Sequence, residues 1–570
     1  MPKDGLRTNS CNMKLALLSI LAWAIGAVLG HGEQHPRRNN NNNNNSNNVT
    51  VQTSTGTYTG FIDPTYPRTR QFLSIPFAEP PVLGRRWLPP QKLPPSNQHS
   101  YSTRFPPSCP QFVTAVESLW NLNLTHGNLI YNGNQNDSSG MVGEATSEDC
   151  LYLAIWAPTT PPPAPLPVLL FLTGGGLIIG GVDIPWQVPV SWVERSQSHI
   201  VITINYRLGI FGFPNARGLA SNDSNSNSTG STQNLGILDM RMALEWARDN
   251  IAAFGGDPAR ITLWGQSAGA VAADILAFAY PEEPISQAIF LESGTVFSAV
   301  NSVKRRDATH SNFTYVANAM GCNVSVYGYR DESGAAELDC MRHVPFAQLV
   351  NFIGGEYVDA GTIPLLAFGL IPDDSVYFFN YTARAEAGQI ARVPTLISGT
   401  ANEFSSLVTW PVDNLTAGPD QAAVTAEDVA LGVCPVLNST AYRNRLGTDV
   451  PVFRILYAGT YPNLNYYKWL GAYHASDLPI MFGTYHLLDL IAPTTSFEIE
   501  VSQSMQDHVL AFATDPYNGP QKLGWQPMVV TDPNGGDLLR FGADGKVFDH
   551  INGTEVDGAC AGIVEYNPFP

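Results

Sequence analysis

One serine in the chain stands where its hydroxyl could act as a nucleophile. Ser267 is the middle residue of the pentapeptide Gly265-Gln-Ser-Ala-Gly269. In a Gly-x-Ser-x-Gly turn the serine is exposed at the apex, and the next backbone N–H, here that of Ala268, can donate to an oxyanion. The pattern therefore indicates acyl transfer. An unreactive serine in a glycine-rich turn fits the pentapeptide alone equally well, so the rest of the chain has to distinguish the two.

A strand and a helix are needed to hold this serine at the apex. Ile261–Trp264 consists of residues that favour strands, and the mostly apolar stretch Ala270–Tyr280 has the composition of a helix. A side chain at position 265 or 269 would collide with the neighbouring strand or helix, which explains the two glycines. The resulting turn places the hydroxyl at a helix N-terminus, where the helix dipole favours negative charge.

A serine nucleophile also requires oxyanion donors, a base and an acid. Thr173-Gly174-Gly175-Gly176 follows an apolar run and could bring backbone amides to a substrate oxygen, although a flexible turn is the plain alternative. For the base, the residues alone leave several histidines eligible: His310, His343, His474, His486, His508 and His550.

The fold class follows from apolar runs that lack period-two alternation, which is typical of strands buried on both faces. These runs are Leu151–Trp156, Val168–Leu172, Ile200–Ile204, Ile261–Trp264, Ala288–Leu291 and Thr395–Ser398. Segments with helical spacing, such as Leu238–Ala252, separate them. The sequence therefore predicts an α/β fold with a mostly parallel central sheet and helices on both faces. We expect one large domain over residues 49–570, with the pentapeptide on a central strand.

The charge balance and the start of the chain limit the partners and the compartment. A net charge of −18 argues against nucleic-acid binding, because nucleic-acid binders carry basic faces. The basic start and the short apolar run after Met13-Lys14 predict a secretory signal in residues 1–30, with Met13 as a possible true start and a membrane anchor as the alternative. The asparagine-rich residues 31–48 are predicted to form a disordered tail. We therefore expect a secreted, extracellular protein.

Sequons and cysteines agree with secretion. N-linked glycans are expected at asparagines followed by x-Ser or x-Thr, namely Asn48, Asn123, Asn136, Asn222, Asn227, Asn312, Asn323, Asn380, Asn414, Asn438 and Asn552. Apart from Cys11, six cysteines remain, an even number suited to disulfides in an oxidising compartment. Fifteen pairings of six cysteines are possible, and the count does not choose among them.

Longer motifs surround the pentapeptide in a definite order. They are SEDCLYLAIWAP at Ser147–Pro158, NYRLGIFGF at Asn205–Phe213, and NLGILDMRMALEWARDNIAAFGGDPARITLWGQSAG at Asn234–Gly269. With these motifs the chain resembles the type B carboxylesterase/lipase family, which has the α/β-hydrolase fold and includes cholinesterases and fungal lipases. The resemblance covers almost the whole mature chain and is strongest to secreted fungal members.

The resemblance implies a role for each matching residue. These are Ser267 as nucleophile, Glu403 in SGTANEF as acid, His474 in GAYHASDLPIMFG as base, and the amides of Gly175, Gly176 and Ala268 as oxyanion donors. The order of serine, acid and histidine is the one found in α/β-hydrolases. The resemblance also implies that Cys109 pairs with Cys150 and Cys322 with Cys340. Cys434 and Cys560 remain as either a third pair or two buried thiols.

Four residues depart from the family pattern. They are Thr173 before the glycines, Met240 in place of a common glutamine, Phe404 after the acid where glycine is usual, and His508 at a common tryptophan position. None of them removes a reacting atom. Phe404 bears most on the assignment of Glu403, because it changes the packing beside that acid.

The expected function is therefore that of a serine esterase or lipase that needs no metal or cofactor and cleaves small-molecule or lipid esters. A catalytically inactive adhesion protein of the same family is the alternative, and the presence of Ser267, Glu403 and His474 weighs against it. No tryptophan motif precedes Ser147–Cys150, which disfavours a cholinesterase. An apolar cluster between Cys109 and Cys150 could be a mobile lid that contacts lipid transiently, or a fixed loop.

Overall fold

Residues 49–112, 146–160, 163–220, 232–298, 307, 309–322, 332–359, 366, 368–408, 411, 414 and 416–570 are described by a computed structural model. All of them belong to one unit of the chain, residues 48–570. The predicted signal and tail in residues 1–48 lie outside the described residues. So do the apolar cluster after Phe112 and six of the sequons, at Asn48, Asn123, Asn136, Asn222, Asn227 and Asn323.

Two sheets are found in the described residues. Their strands are β1 Thr50–Gln52, β2 Thr57–Thr59, β3 Phe61–Ile62, β4 Thr69–Pro76, β5 His99–Tyr101, β6 Tyr152–Pro158, β7 Leu166–Leu172, β8 Ile200–Ile204, β9 Gly256–Gln266, β10 Ala288–Glu292, β11 Thr395–Thr400, β12 Val452–Tyr457, β13 Asp537–Phe541 and β14 Phe548–Asn552. The large sheet has the order β3-β4-β6-β8-β7-β9-β10-β11-β12-β13-β14, and β1, β2 and β5 form a small one.

The centre of the large sheet is parallel and its margins are antiparallel. Strands β8, β7, β9, β10, β11, β12 and β13 run parallel to their neighbours in that series. The pairs β3–β4, β4–β6, β6–β8 and β13–β14 are antiparallel. The predicted mostly parallel sheet is thus confirmed, with β9, which leads to Ser267, near its middle.

Strand β6 is buried as its apolar run predicts, but it runs antiparallel to both of its neighbours. Burial on both faces does not fix strand direction. The loop from Pro158 to Leu166 is too short for the helical crossover that a parallel connection requires. The chain therefore turns back after β6 and enters the parallel part of the sheet at β7.

Helices cover both faces of the sheet. Within the described residues they are α1 Val190–Ser196, α2 Gly209–Gly212, α3 Leu235–Asn250, α4 Ala268–Ala279, α5 Ser311–Ala319, α6 Ala335–Arg342, α7 Phe346–Asp359, α8 Tyr381–Glu386, α9 Gln421–Glu427, α10 Cys434–Asn444, α11 Leu478–Phe482, α12 Ser496–Thr514, α13 Gly519–Lys522 and α14 Thr554–Asp557. None of these helices is long and apolar enough to span a bilayer.

Successive side chains of β7 pack into the two hydrophobic cores on opposite faces of the sheet. Leu170 and its alternate neighbours pack with residues of α3 and α4 on one face. Leu169 and Phe171 pack with residues of α1, α11 and α12 on the other face. A strand that is buried on both sides in this way holds the loop at its C-terminal end, Thr173–Gly176, in a fixed position next to the end of β9.

Candidate active site

Ser267 occupies a sharp turn between β9 and α4. Its backbone angles, φ 56° and ψ −124°, lie outside both the strand and the helix regions. A Cβ atom at Gly265 would lie 2.2 Å from the Gly269 carbonyl oxygen, and one at Gly269 would lie 2.1 Å from the Leu172 carbonyl oxygen. The turn can therefore close only with glycine at both positions, as the pentapeptide predicts.

His474 lies next to this serine. Its Nε2 atom is 2.8 Å from Ser267 Oγ, and its Nδ1 atom contacts Glu403 Oε1. If Nδ1 carries the proton and donates it to the carboxylate, Nε2 is free to accept a hydrogen bond from the serine hydroxyl. The structure thus brings together three side chains that the sequence separates by more than 200 residues between serine and histidine.

The Glu403 carboxylate is held on its other oxygen by three donors. Oε2 accepts hydrogen bonds from the Thr400 backbone N–H at 2.8 Å, from Thr400 Oγ1 at 2.6 Å and from Ser293 Oγ at 3.1 Å. Burial by itself would raise the pKa of Glu403, but the neighbouring His474 and the hydrogen bonds from Thr400 outweigh it and hold that pKa below the usual value. Glu403 is therefore ionised at neutral pH.

The same contact acts on the histidine in the opposite direction. Burial lowers the pKa of His474, whereas the charge of Glu403, its hydrogen bond and the charge of Asp477 raise it, and the net result is a pKa above the ordinary value of 6.5. An imidazole with a raised pKa binds a proton more strongly. His474 is thus suited to take a proton from a weakly acidic hydroxyl.

The glycine loop after β7 closely approaches the serine turn. A Cβ atom at Gly174 would lie 2.9 Å from the Ser267 Cβ atom, so only glycine permits this approach. Gly175 and Gly176 both have positive φ angles, 104° and 65°. With the first N–H of α4, at Ala268, their amides border the space in front of the serine hydroxyl.

Polar side chains hold this glycine loop in place. Tyr206 donates a hydrogen bond to the Thr173 carbonyl oxygen at 2.8 Å, and Thr173 Oγ1 donates to Gln187 at 2.9 Å. At the other end of the loop, Gly180 N–H donates to Gln111 Oε1 at 3.0 Å, and Gln111 Nε2 donates back to the Gly180 carbonyl oxygen at 2.9 Å. The unusual Thr173 therefore has a structural partner.

One cavity of about 350 Å³ contains all the predicted reacting groups. Ser267, His474, Glu403 and the three oxyanion residues line it, and its apolar lining includes Val271, Leu407, Leu431 and Val436. Tyr566 also lines it, and its hydroxyl donates to the Ala401 carbonyl oxygen at 2.8 Å. A second, apolar cavity of about 180 Å³ shares Gly175 with the first. The predicted oxyanion residue Gly175 thus borders two spaces, of which the first also contains Ser267 and His474.

The other eligible histidines have different surroundings, and none of them lines the cavity at Ser267 in the described residues. His310 contacts Asn215, and His550 pairs with Asp537 on the surface. His508 is buried among Trp525, Phe541 and Phe548, where it fills aromatic space. Geometry therefore separates His474 from residues that the sequence alone leaves equivalent.

Phe404 is the departure from the family pattern that lies beside Glu403, and a hydrogen bond holds its backbone in place. Its N–H donates a hydrogen bond of 2.8 Å to Asp428 Oδ1, which anchors the turn that begins at Glu403. Burial, and to a smaller degree the charge of Glu403, raises the pKa of Asp428 to about 7. No motif in the sequence indicates this role for Asp428. Sequence analysis also missed Ser293, which follows β10 and donates to Glu403, because 110 residues separate the two in the sequence.

Three disulfides are present in the described residues. They join Cys109 to Cys150, Cys322 to Cys340 and Cys434 to Cys560. The first two are the pairs that the resemblance implies, and the third decides between a disulfide and two buried thiols. The first also places Gln111 two residues from a covalent anchor, beside the glycine loop.

Comparisons with known proteins agree with this geometry. A model of the carboxylesterase family matches residues 47–430. A chlorogenic acid esterase of Aspergillus niger is 37% identical over 90% of this chain and 94% of its own length. Secreted lipase 5 of Gibberella zeae is 35% identical over the same shares, and an acetylcholinesterase of Bungarus fasciatus is 32% identical over 85% of this chain and 82% of its own.

Proposed function

Because the chain belongs to the carboxylesterase family, we propose that it hydrolyses carboxylic esters with Ser267 as nucleophile, His474 as base and Glu403 as acid. Hydrolysis of carboxylic esters is the activity of the family and of the similar esterases and lipases. The assignment of the residues is supported chiefly by one observation: the hydrogen-bonded series from Ser267 Oγ through the His474 ring to Glu403.

In the first half of the reaction His474 Nε2 takes the proton of Ser267 Oγ as that oxygen attacks the ester carbonyl carbon. The carbonyl oxygen becomes an oxyanion, which the amides of Gly175, Gly176 and Ala268 stabilise by hydrogen bonds. When the tetrahedral intermediate collapses, the bond to the alcohol oxygen breaks and His474 gives its proton to the leaving alcohol. The acyl group then remains on Ser267.

Water completes the second half of the cycle. His474 takes a proton from a water molecule, whose oxygen attacks the acyl carbon, and returns it to Ser267 Oγ as the acid leaves. The negative charge of Glu403 stabilises the imidazolium form in both halves. The apolar lining of the cavity excludes other water and so strengthens these charge interactions.

We further propose that the protein acts outside the cell and carries N-linked glycans. Two similar proteins are named secreted lipases, and the sequons Asn380, Asn414, Asn438 and Asn552 are exposed. Removal of N-glycans with an endoglycosidase should lower the apparent mass of the secreted protein. An unchanged mass would contradict this part of the proposal.

The preferred acyl chain can be assigned with a panel of p-nitrophenyl esters from acetate to palmitate. The cavity at Ser267 is limited to about 350 Å³, and the relatives include both an esterase and lipases. We expect turnover to be highest for short or compact acyl groups. A maximum at palmitate, with a rise in rate above the solubility limit of the ester, would instead favour a lipase.

Ser267→Ala tests the proposal directly. It should lower kcat by at least about 10⁴-fold while leaving secretion and thermal stability unchanged, because the hydroxyl reacts and contributes little packing. Ser198→Ala, at an exposed serine, is the matched control and should retain full activity. A phosphonate should label Ser267 alone, and labelling of another residue would overturn the assignment.

A further inference from the structure

Two more buried acids lie behind the proposed reacting groups. Glu292 is the last residue of β10, and its backbone carbonyl oxygen accepts a 2.8 Å hydrogen bond from the N–H of Ser267. Asp477 follows His474 by three residues and immediately precedes α11. Both residues are completely buried. They therefore lie close to the nucleophile and the base without lining the cavity themselves.

The carboxyl groups of Glu292 and Asp477 contact each other, and too few hydrogen-bond donors surround them to satisfy four carboxylate oxygens. Trp264 Nε1 donates a 2.7 Å hydrogen bond to Glu292 Oε2. The remaining three oxygens, Glu292 Oε1 and both of Asp477, are sealed from solvent, and no other side chain of the described residues donates a hydrogen bond to them. Besides Glu292, only its own backbone N–H acts as a hydrogen-bond partner on the Asp477 carboxyl group. Even so, the Glu292 and Asp477 side chains lie within hydrogen-bonding reach of each other. Two ionised carboxylates only accept hydrogen bonds, so a contact of this kind requires a proton between them.

We propose that Glu292 and Asp477 share one proton, and that this proton limits the negative charge that reaches His474, so that the pair sets the pH range in which the base works. Both are positioning residues, because they act on the reaction only through His474. The inference rests on the proposed role of His474 as the base.

The surroundings of the pair favour retention of a proton. Burial, followed by the charge of Asp477, raises the pKa of Glu292 well above its usual range, and burial, followed by the charge of Glu403, raises that of Asp477 to about 7. Tyr457 lies near Asp477, and burial keeps its pKa well above the ordinary value, so it stays neutral. Glu403, whose charge acts on both members of the pair, has a lowered pKa and is ionised.

Asp477 is the member of the pair that acts on the histidine. Its negative charge adds to that of Glu403 in raising the pKa of His474. A second full charge would make the imidazole hold its proton to higher pH, and fewer enzyme molecules would have a free base. A proton shared with Glu292 keeps the charge on Asp477 partial.

Glu292→Gln should release the charge of Asp477. Trp264 Nε1–H fixes the amide oxygen at the position of Oε2, so the amide nitrogen faces Asp477 and donates to it. Asp477 then ionises without a proton. The acidic limb of the kcat/KM–pH profile should move to higher pH by about half a unit or more.

Asp477→Asn should move the same limb to lower pH, because it removes the charge that acts on His474 and leaves an amide that can donate to Glu292. If the two residues only served packing, these isosteric substitutions would not move the acidic limb of the pH profile in opposite directions. Glu498→Gln is the matched control: Glu498 is equally buried but is not among the charges that act on His474, so the limb should stay in place.

A second measurement uses the wild-type protein and does not depend on the activity of the variants. The infrared C=O stretch of a protonated carboxyl group should persist at about pH 8, far above the ordinary carboxyl pKa, and should be lost in each single variant. The proposal of a shared proton would be overturned if the acidic limbs of both variants coincided with that of the wild type, or if both moved in the same direction. If the wild type hydrolyses no ester, or Ser267→Ala retains activity, the proposed function fails instead.

Discussion

At the scale of single residues, the proposed base His474 should determine how activity depends on pH. The imidazole must be neutral to accept the serine proton, and the structure holds its pKa above 6.5. Activity should therefore be full well above that pKa and fall as the pH drops through it. We expect the midpoint of the acidic limb of kcat/KM to lie above 6.5, the value that an unperturbed histidine would give. A midpoint near 4 would indicate a carboxylate base.

The acid and the base should differ in how much they contribute. Glu403→Gln keeps the shape of the side chain but removes the charge that stabilises the imidazolium. Its single amide oxygen also cannot accept from both His474 Nδ1 and the donors at Thr400 and Ser293, so kcat should fall by about 10⁴-fold. His474→Ala removes the proton carrier and should cost about 10⁶-fold. Single-turnover measurements with an activated ester would check this order, and a milder effect of the histidine change would contradict it.

How far the residues of the site could be predicted depends on their positions in the sequence. The pentapeptide identified Ser267 because its five residues specify a local turn. Chemistry required a histidine, but the choice of His474 over the other histidines came from the family resemblance alone. Ser293 and Asp428 could not be predicted, since each meets the turn at Glu403 only after the sheet has assembled.

At the scale of elements, the serine turn depends on the absence of two side chains. Gly269→Ala would place a Cβ atom 2.1 Å from the Leu172 carbonyl oxygen in β7. The backbone of two central elements must move to relieve this contact, so the change should cost at least about 2 kcal/mol and abolish activity. The loss can be measured as a lowered thermal midpoint.

Gly355→Ala is the control for this prediction. Gly355 lies in α7, and an added Cβ atom there meets nothing within 4 Å. The change should leave activity intact and stabilise the protein by about 0.5–1 kcal/mol, because alanine favours a helix more than glycine does. Equal effects of the two substitutions would show that the turn tolerates a side chain.

The glycine loop provides a second prediction at this scale. Gln111→Ala removes both hydrogen bonds to Gly180, so the amides of Gly175 and Gly176 should lose their fixed position. We expect kcat to fall about tenfold or more with little change in KM, since the oxyanion forms only in the reaction. Gln52→Ala, at an exposed position, should change neither constant. A rise in KM alone would contradict the role of Gln111.

The sequence predicted the parallel strands better than the margins of the sheet. Apolar runs such as that of β7 are long enough to indicate burial on both faces. The direction of β6 depends instead on the length of the following loop, and β13 and β14 mix charged with apolar residues in only five positions each. Their strand character comes from pairing with each other and with β12, which local sequence does not encode.

At the scale of the whole molecule, the three disulfides close loops of very different length. Cys434–Cys560 spans 126 residues and Cys322–Cys340 spans 18, so the longer bridge removes more entropy from the unfolded chain, by about 2 kcal/mol. The Cys434→Ala/Cys560→Ala variant should therefore have a lower thermal midpoint than Cys322→Ala/Cys340→Ala. The reverse order would mean that native contacts around the shorter bridge outweigh chain entropy.

Because Tyr566 lines the cavity at Ser267, the cavity cannot be complete until the ribosome has synthesised this residue. Its hydroxyl reaches back to Ala401, 165 residues earlier, beside the turn that carries Glu403. All the proposed reacting groups therefore leave the ribosome before Tyr566 can complete the lining of the cavity. A growing chain that has not yet reached Tyr566 would therefore carry Ser267 in an incomplete cavity. Ribosome-bound chains that end before Tyr566 should fail to react with a phosphonate that labels the released protein.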